Sequence, residues 1–222
     1  MNNRRIPLKI QKPDISEKPL ISSDLLLLIE VAQIEESDIV AEYFNNISVE
    51  NIDMSKLCFK NVVFENCRFI DCTFYKTDFM DVVFKSCDLS NSDLTEGYFN
   101  RCELTSCKFL GANFTDTNMQ NISNMQCTFK YSNFARAKLK YVNIVECDMS
   151  DTNITECKLS KISLDNVMFT KTNFFKTSLK EIDFTTSHID GIMVSAEELN
   201  GSVVNLYQAA ELARLLGVIV KY

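Results

Sequence analysis

The chain has 222 residues, 46% hydrophobic and 24% charged, which suffices for one domain with a small extension and excludes wholesale disorder. Thirty acidic against twenty-three basic side chains give −7, which argues against nucleic-acid backbone binding as the main activity. The longest aliphatic stretch is Leu25 to Ile29, so neither a transmembrane helix nor a signal-peptide core is predicted, and a cytoplasmic protein is the expectation.

Residues 1–38 read as an N-terminal arm and a short capping helix. Pro7, Pro13 and Pro19 among scattered charges predict an extended or mobile arm over the first twenty residues. Ser23 followed by Asp24 through Glu30 predicts a short capped helix that closes one end of a repeat region spanning residues 39–194. Residues 39–58 read as the degenerate first unit of that repeat.

From residue 59 the period is five. Phe59, Phe64, Phe69, Phe74, Phe79 and Phe84 lead a register that runs to Ile189, and of its 27 positions only Asn124 is polar. Met54, Val49 and Phe44 extend it backwards, and fifteen of the sixteen Phe lie in it, Phe175 being the exception. Two residues before each large one stands a small or β-branched residue, as at Val62, Cys67, Cys72 and Thr77. Between the two, Asp or Asn recurs, as at Asp78, Asp93, Asn113 and Asn133. A strict five fits neither the helical nor the strand period, so each repeat needs a corner. Each inward Phe or Leu is worth ~1.5–3 kcal/mol when buried. No five-residue unit can bury its own side chain, so stability is expected to be cooperative along a stack.

Three features interrupt or decorate the register. Asn124, with Met125 beside it, reads either as a small projecting loop or as a one-coil distortion that turns Met125 inward; the distortion is the preferred reading, because a buried amide needs partners. Eight of nine cysteines occupy the small inward position, and Cys67, Cys87, Cys107, Cys127 and Cys147 recur every 20 residues. A metal or redox ladder is one reading; without a C-x-x-C pair and with one His, small buried hydrophobes are expected instead, reduced and free of metal. His188 falls in the Asp/Asn slot, where it should point outward, and no nucleophile signature or phosphate-binding glycine loop accompanies it. No catalytic residue, cofactor or metal is assigned, and the expectation is a protein that is not an enzyme.

Residues 195–222 read as a C-terminal cap. Ser195 and Glu198 have capping-box spacing before a short helical turn stopped by Gly201. Asn205 then caps a helix from Leu206 to Leu216, ended by Gly217, with Leu206, Ala209, Ala210, Ala213 and Leu216 on one side. Val218-Ile219-Val220 reads as a closing strand. Such a lid would protect exposed strand edges from end-to-end pairing.

Stretches such as Ser92-Asp93-Leu94-Thr95-Glu96 and Ala112-Asn113-Phe114-Thr115-Asp116 resemble the pentapeptide-repeat family, whose pattern is roughly A(D/N)LXX. The resemblance covers about residues 39 to 194. It implies an all-β solenoid, a right-handed quadrilateral β-helix with four pentapeptides per coil. About seven coils at a spacing of ~4.8 Å would make a rod on the order of 30 Å long. In the family the C-terminal element often joins a two-fold dimer, so a homodimer is implied here, with Leu206, Tyr207, Leu212, Leu215, Leu216, Val218 and Val220 as its candidate interface. The best-known members are Qnr-like quinolone-resistance proteins, dimers that resemble B-DNA and bind DNA gyrase, which implies a type II topoisomerase (gyrase or topoisomerase IV) as candidate partner. The projecting loops of many plasmid-borne Qnr proteins have no room in this register unless at Asn124.

Charge is distributed unevenly. Residues 1–55 hold 10 acidic and 5 basic side chains, whereas residues 56–191 hold 17 and 16. On strict 20-residue coils, one side carries Lys60, Arg101, Lys138, Lys140, Lys158, Lys161 and Lys180 against Asp78, Asp81 and Glu181, for +4. The next side carries Glu65, Glu103, Glu146, Asp165 and Asp183 against Lys85, for −4, and is the candidate partner-facing acidic side. Two functions are compatible with this. One is a non-enzymatic, DNA-mimicking modulator of a type II topoisomerase; the other is a structural or scaffolding repeat protein with an unrelated partner. Neither involves a membrane.

Overall fold

A computed structural model describes residues 8–15, 20–22, 24–215 and 217–221; Pro7, Pro19, Ser23 and Leu216 lie outside the described residues. The backbone turns a corner every five residues. The residue two after nearly every large inward one takes a positive φ, as at Asn61 (55°), Lys76 (57°), Asp81 (57°) and Glu96 (57°). Left-handed backbone disfavours side chains with a Cβ. The stack compensates through hydrogen bonds, because the corner N–H donates to a carbonyl of the next turn: Lys76 to Thr95 O and Glu96 to Thr115 O, both at 2.9 Å. At the Gly111 corner a Cβ would lie 2.7 Å from Asn91 Oδ1, so the Asn91 amide would have to move to admit one. The Asp and Asn slot closes the turns as such side chains do: Asp93 Oδ1 accepts from the Thr95 N–H at 3.0 Å and Asn113 Oδ1 from that of Thr115 at 3.2 Å.

Parallel turns stack into a β-solenoid of about seven turns with a helix at each end. The leading elements are β1 (Leu20–Ser22), α1 (Leu25–Glu35), β2 (Ile39–Val40), β3 (Glu42–Asn45) and β4 (Ser48–Glu50). The shaft strands are β5 (Cys58–Glu65), β6 (Arg68–Ile70), β7 (Asp78–Lys85), β8 (Tyr98–Thr105), β9 (Asn118–Met125), β10 (Lys138–Val145) and β11 (Lys158–Asp165), and α2 (Leu206–Leu215) closes the chain. The main sheet runs β1-β3-β5-β7-β8-β9-β10-β11. Its register is offset by 20 residues throughout the shaft, as in Phe59↔Phe79, Phe79↔Phe99 and Leu139↔Leu159. Large residues therefore stack on their counterparts: Phe79 on Phe99 at 4.8 Å, Phe109 on Phe129 at 5.0 Å and Phe114 on Phe134 at 4.5 Å between ring centroids. All fifteen in-register Phe are buried and Phe175 is exposed.

Several expectations change in the structure. The first helix extends to Glu35, with Asp24 rather than Ser23 as its described cap: Asp24 Oδ1 accepts from the Leu27 N–H at 3.0 Å. At Asn124 there is neither a loop nor a distortion. β9 keeps its register, with Leu104↔Asn124 and Ile144↔Asn124 in line, so Asn124 is buried and Met125 is exposed. Backbone bonds to both neighbouring turns hold the strand, and the cost falls on the side chain, whose Oδ1 is buried without a hydrogen bond. Residues 195–201 form turns rather than a helix, although the Ser195 N–H does donate to Glu198 at 2.6 Å. Residues 218–220 are not a strand; they follow a helix end at which the Gly217 N–H bonds Arg214 O and the Val218 N–H bonds Ala213 O. Those bonds complete the helix C-terminus.

Candidate functional site

The outward surfaces that the corners create are where this fold can carry function along its shaft. Of the candidate acidic side, Glu65, Glu103 and Asp165 lie in the same half of β5, β8 and β11, Glu146 stands at the adjoining corner, and Asp183 occupies the turn slot one coil further on. The five carboxylates are not equivalent. Glu65 is paired with Lys85 at 2.7 Å and accepts from Tyr43 Oη at 2.6 Å, and the lysine and then the phenol hold its carboxyl below the usual range. Asp183 Oδ1 accepts from the Thr185 N–H at 2.9 Å and so serves the turn. Glu146 accepts from the neutral Gln126 Nε2 at 2.9 Å. Glu103, Glu146 and Asp165 make no ion pair with another described residue.

Along the corner between the acidic and lysine sides runs a strap that the proline pattern alone did not place. Residues 8–14 lie across five successive turns, from that of β10 to that of β5. Leu8 O accepts from Asn143 Nδ2 at 3.4 Å, the Gln11 N–H donates to Asn121 Oδ1 at 3.3 Å, and the Asp14 N–H donates to Asp81 Oδ1 at 2.9 Å, while Asn61 Nδ2 bonds Asp14 O. Extended chain rises by roughly 3.3 Å per residue, so six residues suffice to cross turns stacked ~4.8 Å apart. Asp81 anchors the strap and also holds Arg101 in a two-point pair, at 2.6 Å and 2.5 Å. Burial pushes the Asp81 carboxyl up, but Arg101 and the Asp14 N–H outweigh it and leave it below the usual range. Lys9 and Lys12 of the strap are exposed.

On the lysine side, Arg101 and Lys60 are neutralised by Asp81 and Asp38. The positive charge therefore concentrates downstream, where Lys138, Lys140, Lys158, Lys161 and Lys180 are all exposed and Lys138 lies in register with Lys158.

The C-terminal end is built around a residue that sequence reasoning missed. Gln208, buried, donates through Nε2 to Phe184 O at 2.8 Å and Ser187 O at 2.7 Å, closing carbonyls at the end of the stack. Asn205 and Gln208 also bond each other's backbone N–H, at 3.0 Å and 2.8 Å, a reciprocal cap that the N-x-x-Q spacing could have signalled. The side of α2 turned to the solenoid is thus that of Gln208 and Leu212, not the side of Leu206 and Ala209. Of the candidate interface residues, Leu206, Tyr207, Leu215 and Val218 are exposed, Leu212 is partly packed on the core, and Val220 is half-buried. An open apolar groove lined by Val194, Leu199, Val204, Leu212 and Leu215 adjoins them.

The family described as pentapeptide repeat region matches residues 77–146 and 123–194, which together span more than half of the chain. The chain belongs to the pentapeptide-repeat family. A trypsin-treated variant of QnrB1, a plasmid-mediated fluoroquinolone resistance protein, aligns at 21% identity and a TM-score of 0.53, over 84% of this chain and 100% of its own. HetL, a pentapeptide repeat protein involved in heterocyst differentiation regulation from the cyanobacterium Nostoc, aligns at 13% identity and a TM-score of 0.32, over 80% of this chain and 95% of its own. The likeness to QnrB1 is one of fold. No curated protein sequence matches the chain.

In this pentapeptide-repeat chain the eight inward cysteines are buried, Cys58 is half-buried, and all nine are free thiols. The 20-residue ladder is a chain of weak bonds: the Cys87, Cys107 and Cys127 N–H groups each point at the sulfur one turn on, at 3.5, 3.4 and 3.4 Å. Burial pushes the Cys102 and Cys157 thiols up to about 12, so they stay protonated and unreactive. No group of three or more His, Cys, Asp or Glu placed to hold a metal ion occurs among the described residues, and His188 is exposed. No described helix is long and apolar enough to cross a membrane.

Proposed function

We propose that this protein is a non-enzymatic binding rod, paired with a second copy through its C-terminal end, that offers its acidic side to a type II topoisomerase in place of DNA. The observation that carries the reading is the unpaired set Glu103, Glu146 and Asp165, held on consecutive or alternate turns of one side of a rigid stack. Turns ~4.8 Å apart space these carboxylates by roughly 5–10 Å, a regular anionic row that a basic DNA-binding groove can engage. Pairing is supported by α2, which leaves Leu206, Tyr207 and Leu215 exposed beside an apolar groove; a two-fold contact lets one chain's exposed residues fill the other's groove.

The test is a gyrase supercoiling assay titrated with the protein, with and without a fluoroquinolone. The reading expects a dose-dependent change in supercoiling or in drug inhibition; a flat titration leaves the scaffolding function with an unrelated partner. Pairing is tested by sedimentation. The native chain should be a dimer at micromolar concentration, and Leu206→Glu with Leu215→Glu should give folded monomers. A monomeric native chain would rule the pairing out.

A further inference from the structure

At the opposite end, the cap helix α1 carries two apolar stripes. Leu25, Ile29 and Ala32 face the first turn and are buried. Leu27, Val31 and Ile34 repeat the same four-then-three spacing on the outer side, where they are 54%, 38% and 74% exposed. At about 100° per residue, Glu30 and Glu35 fall on either flank of that outer stripe, and both are exposed. A surface helix ordinarily turns a polar face to solvent. This one presents an apolar stripe between two carboxylates. Along the shaft, by contrast, exposed large apolar side chains such as Leu110, Met125 and Met168 stand singly in separate repeats, which is ordinary for a protein surface. The helix is firmly seated: Asp24 caps it, Gln33 Nε2 donates to Asp53 O at 2.8 Å, and Glu36 ends it in a left-handed turn.

Charge decides what fits this face. From Pro19 to Ser55 there are eight Asp and Glu and no Lys, Arg or His. A second copy of α1 laid against this one would set carboxylates against carboxylates with no cation in either cap, and an anionic lipid surface would be repelled in the same way. A helix with its own apolar stripe flanked by Lys or Arg satisfies both the stripe and its borders. We propose that the outer face of α1 is a docking site for a basic amphipathic helix of a partner protein, seated on Leu27, Val31 and Ile34 with its cations at Glu30 and Glu35. The eleven residues of α1 span ~16 Å, so about three turns of the partner helix would be engaged. This inference is independent of the topoisomerase reading.

The experiment uses the full chain and a fluorescent helical peptide of about 14 residues, built of Leu in a heptad stripe with Lys at the flanks; a Leu/Glu peptide of the same pattern is the control. The Leu/Lys peptide should bind and the Leu/Glu peptide should not, and affinity should fall as salt rises. Leu27→Gln with Ile34→Gln should weaken binding about tenfold or more, and Glu30→Gln with Glu35→Gln should weaken it and flatten the salt dependence. Hydrogen exchange should slow in α1 on peptide addition. Equal binding to the Leu27→Gln/Ile34→Gln variant with no change in α1 exchange would place the peptide elsewhere and overturn the proposal. So would no binding at millimolar peptide, or a native dimer that the same two substitutions convert to monomer, since that would assign the face to a second copy.

Discussion

The two halves of the shaft share one backbone and differ in the side chains that fill it. Upstream, Phe44, Phe64 and Phe84 stack on one side and Phe59, Phe79 and Phe99 on the next, with rings 4.8–5.5 Å apart. Downstream, Leu139, Ile144, Met149, Ile154, Leu159 and Leu164 take the same inward positions. There the filling is looser. A void of about 30 Å³ lies among Leu139, Ile144, Leu159, Leu164, Phe174 and Ile182, and Leu159 and Ile162 are only partly buried. Beyond β11 a cleft opens against residues 178–183, with Leu8 of the strap at its edge. The period of five and the corner bonds set the register whatever the side chain, while packing density depends on side-chain volume, and aliphatic residues in positions sized for rings leave space.

The largest expected effect breaks the upstream half. Phe109→Ala removes a ring stacked on Phe129 and tilted against Phe114 in a filled core and should cost ~3–5 kcal/mol by chemical denaturation. Leu159→Ala, beside existing space and partly exposed, should cost ~2 kcal/mol or less. Equal losses would mean that the halves are equally packed. A smaller effect, of opposite sign, comes from the one polar position of the register. Asn124→Leu removes the unbonded buried Oδ1 and restores an apolar column from Leu104 to Ile144, and should stabilise the chain by ~1–3 kcal/mol in the same assay. A destabilised variant would show that the amide is satisfied in solution.

The repeat was legible in the sequence almost residue by residue, because its inward side chains repeat strictly and, with Leu159 only partly buried, nearly all are buried where the pattern places them. Asn124 was misjudged for a physical reason: the backbone bonds of two neighbouring turns outweigh one unsatisfied amide oxygen. The ends were less legible because they carry no repeat. Gln208 replaces an apolar contact with two bonds to solenoid carbonyls, and polar caps of this kind leave no hydrophobic signature. The five carboxylates of the candidate acidic side could be grouped from the 20-residue spacing, but the bond from Tyr43 to Glu65 and the course of the strap depend on contacts between distant parts of the chain that carry no repeat.

The smallest effect concerns that strap. The Asp81 carboxyl is held below its ordinary range in the folded chain, so its contribution to stability is present above the unfolded value and is lost as pH falls through the folded one. Protonation of Asp81 on acidification should therefore lower the protection of amides in residues 8–15, measured relative to their intrinsic exchange rates at each pH, before the shaft itself opens. Asp81→Asn should produce the same release at neutral pH, and unchanged exchange in both cases would detach the strap from Asp81.

If function lies on the acidic side of a rigid stack, direct binding to gyrase reads it most plainly. Glu103→Lys, Glu146→Lys and Asp165→Lys together should abolish binding of the native strength, whereas Lys138→Glu, Lys158→Glu and Lys161→Glu on the neighbouring side should leave it intact, and native binding should weaken as ionic strength rises. Binding that survives the acidic-side reversals, or falls equally with both sets, would contradict a functional acidic side.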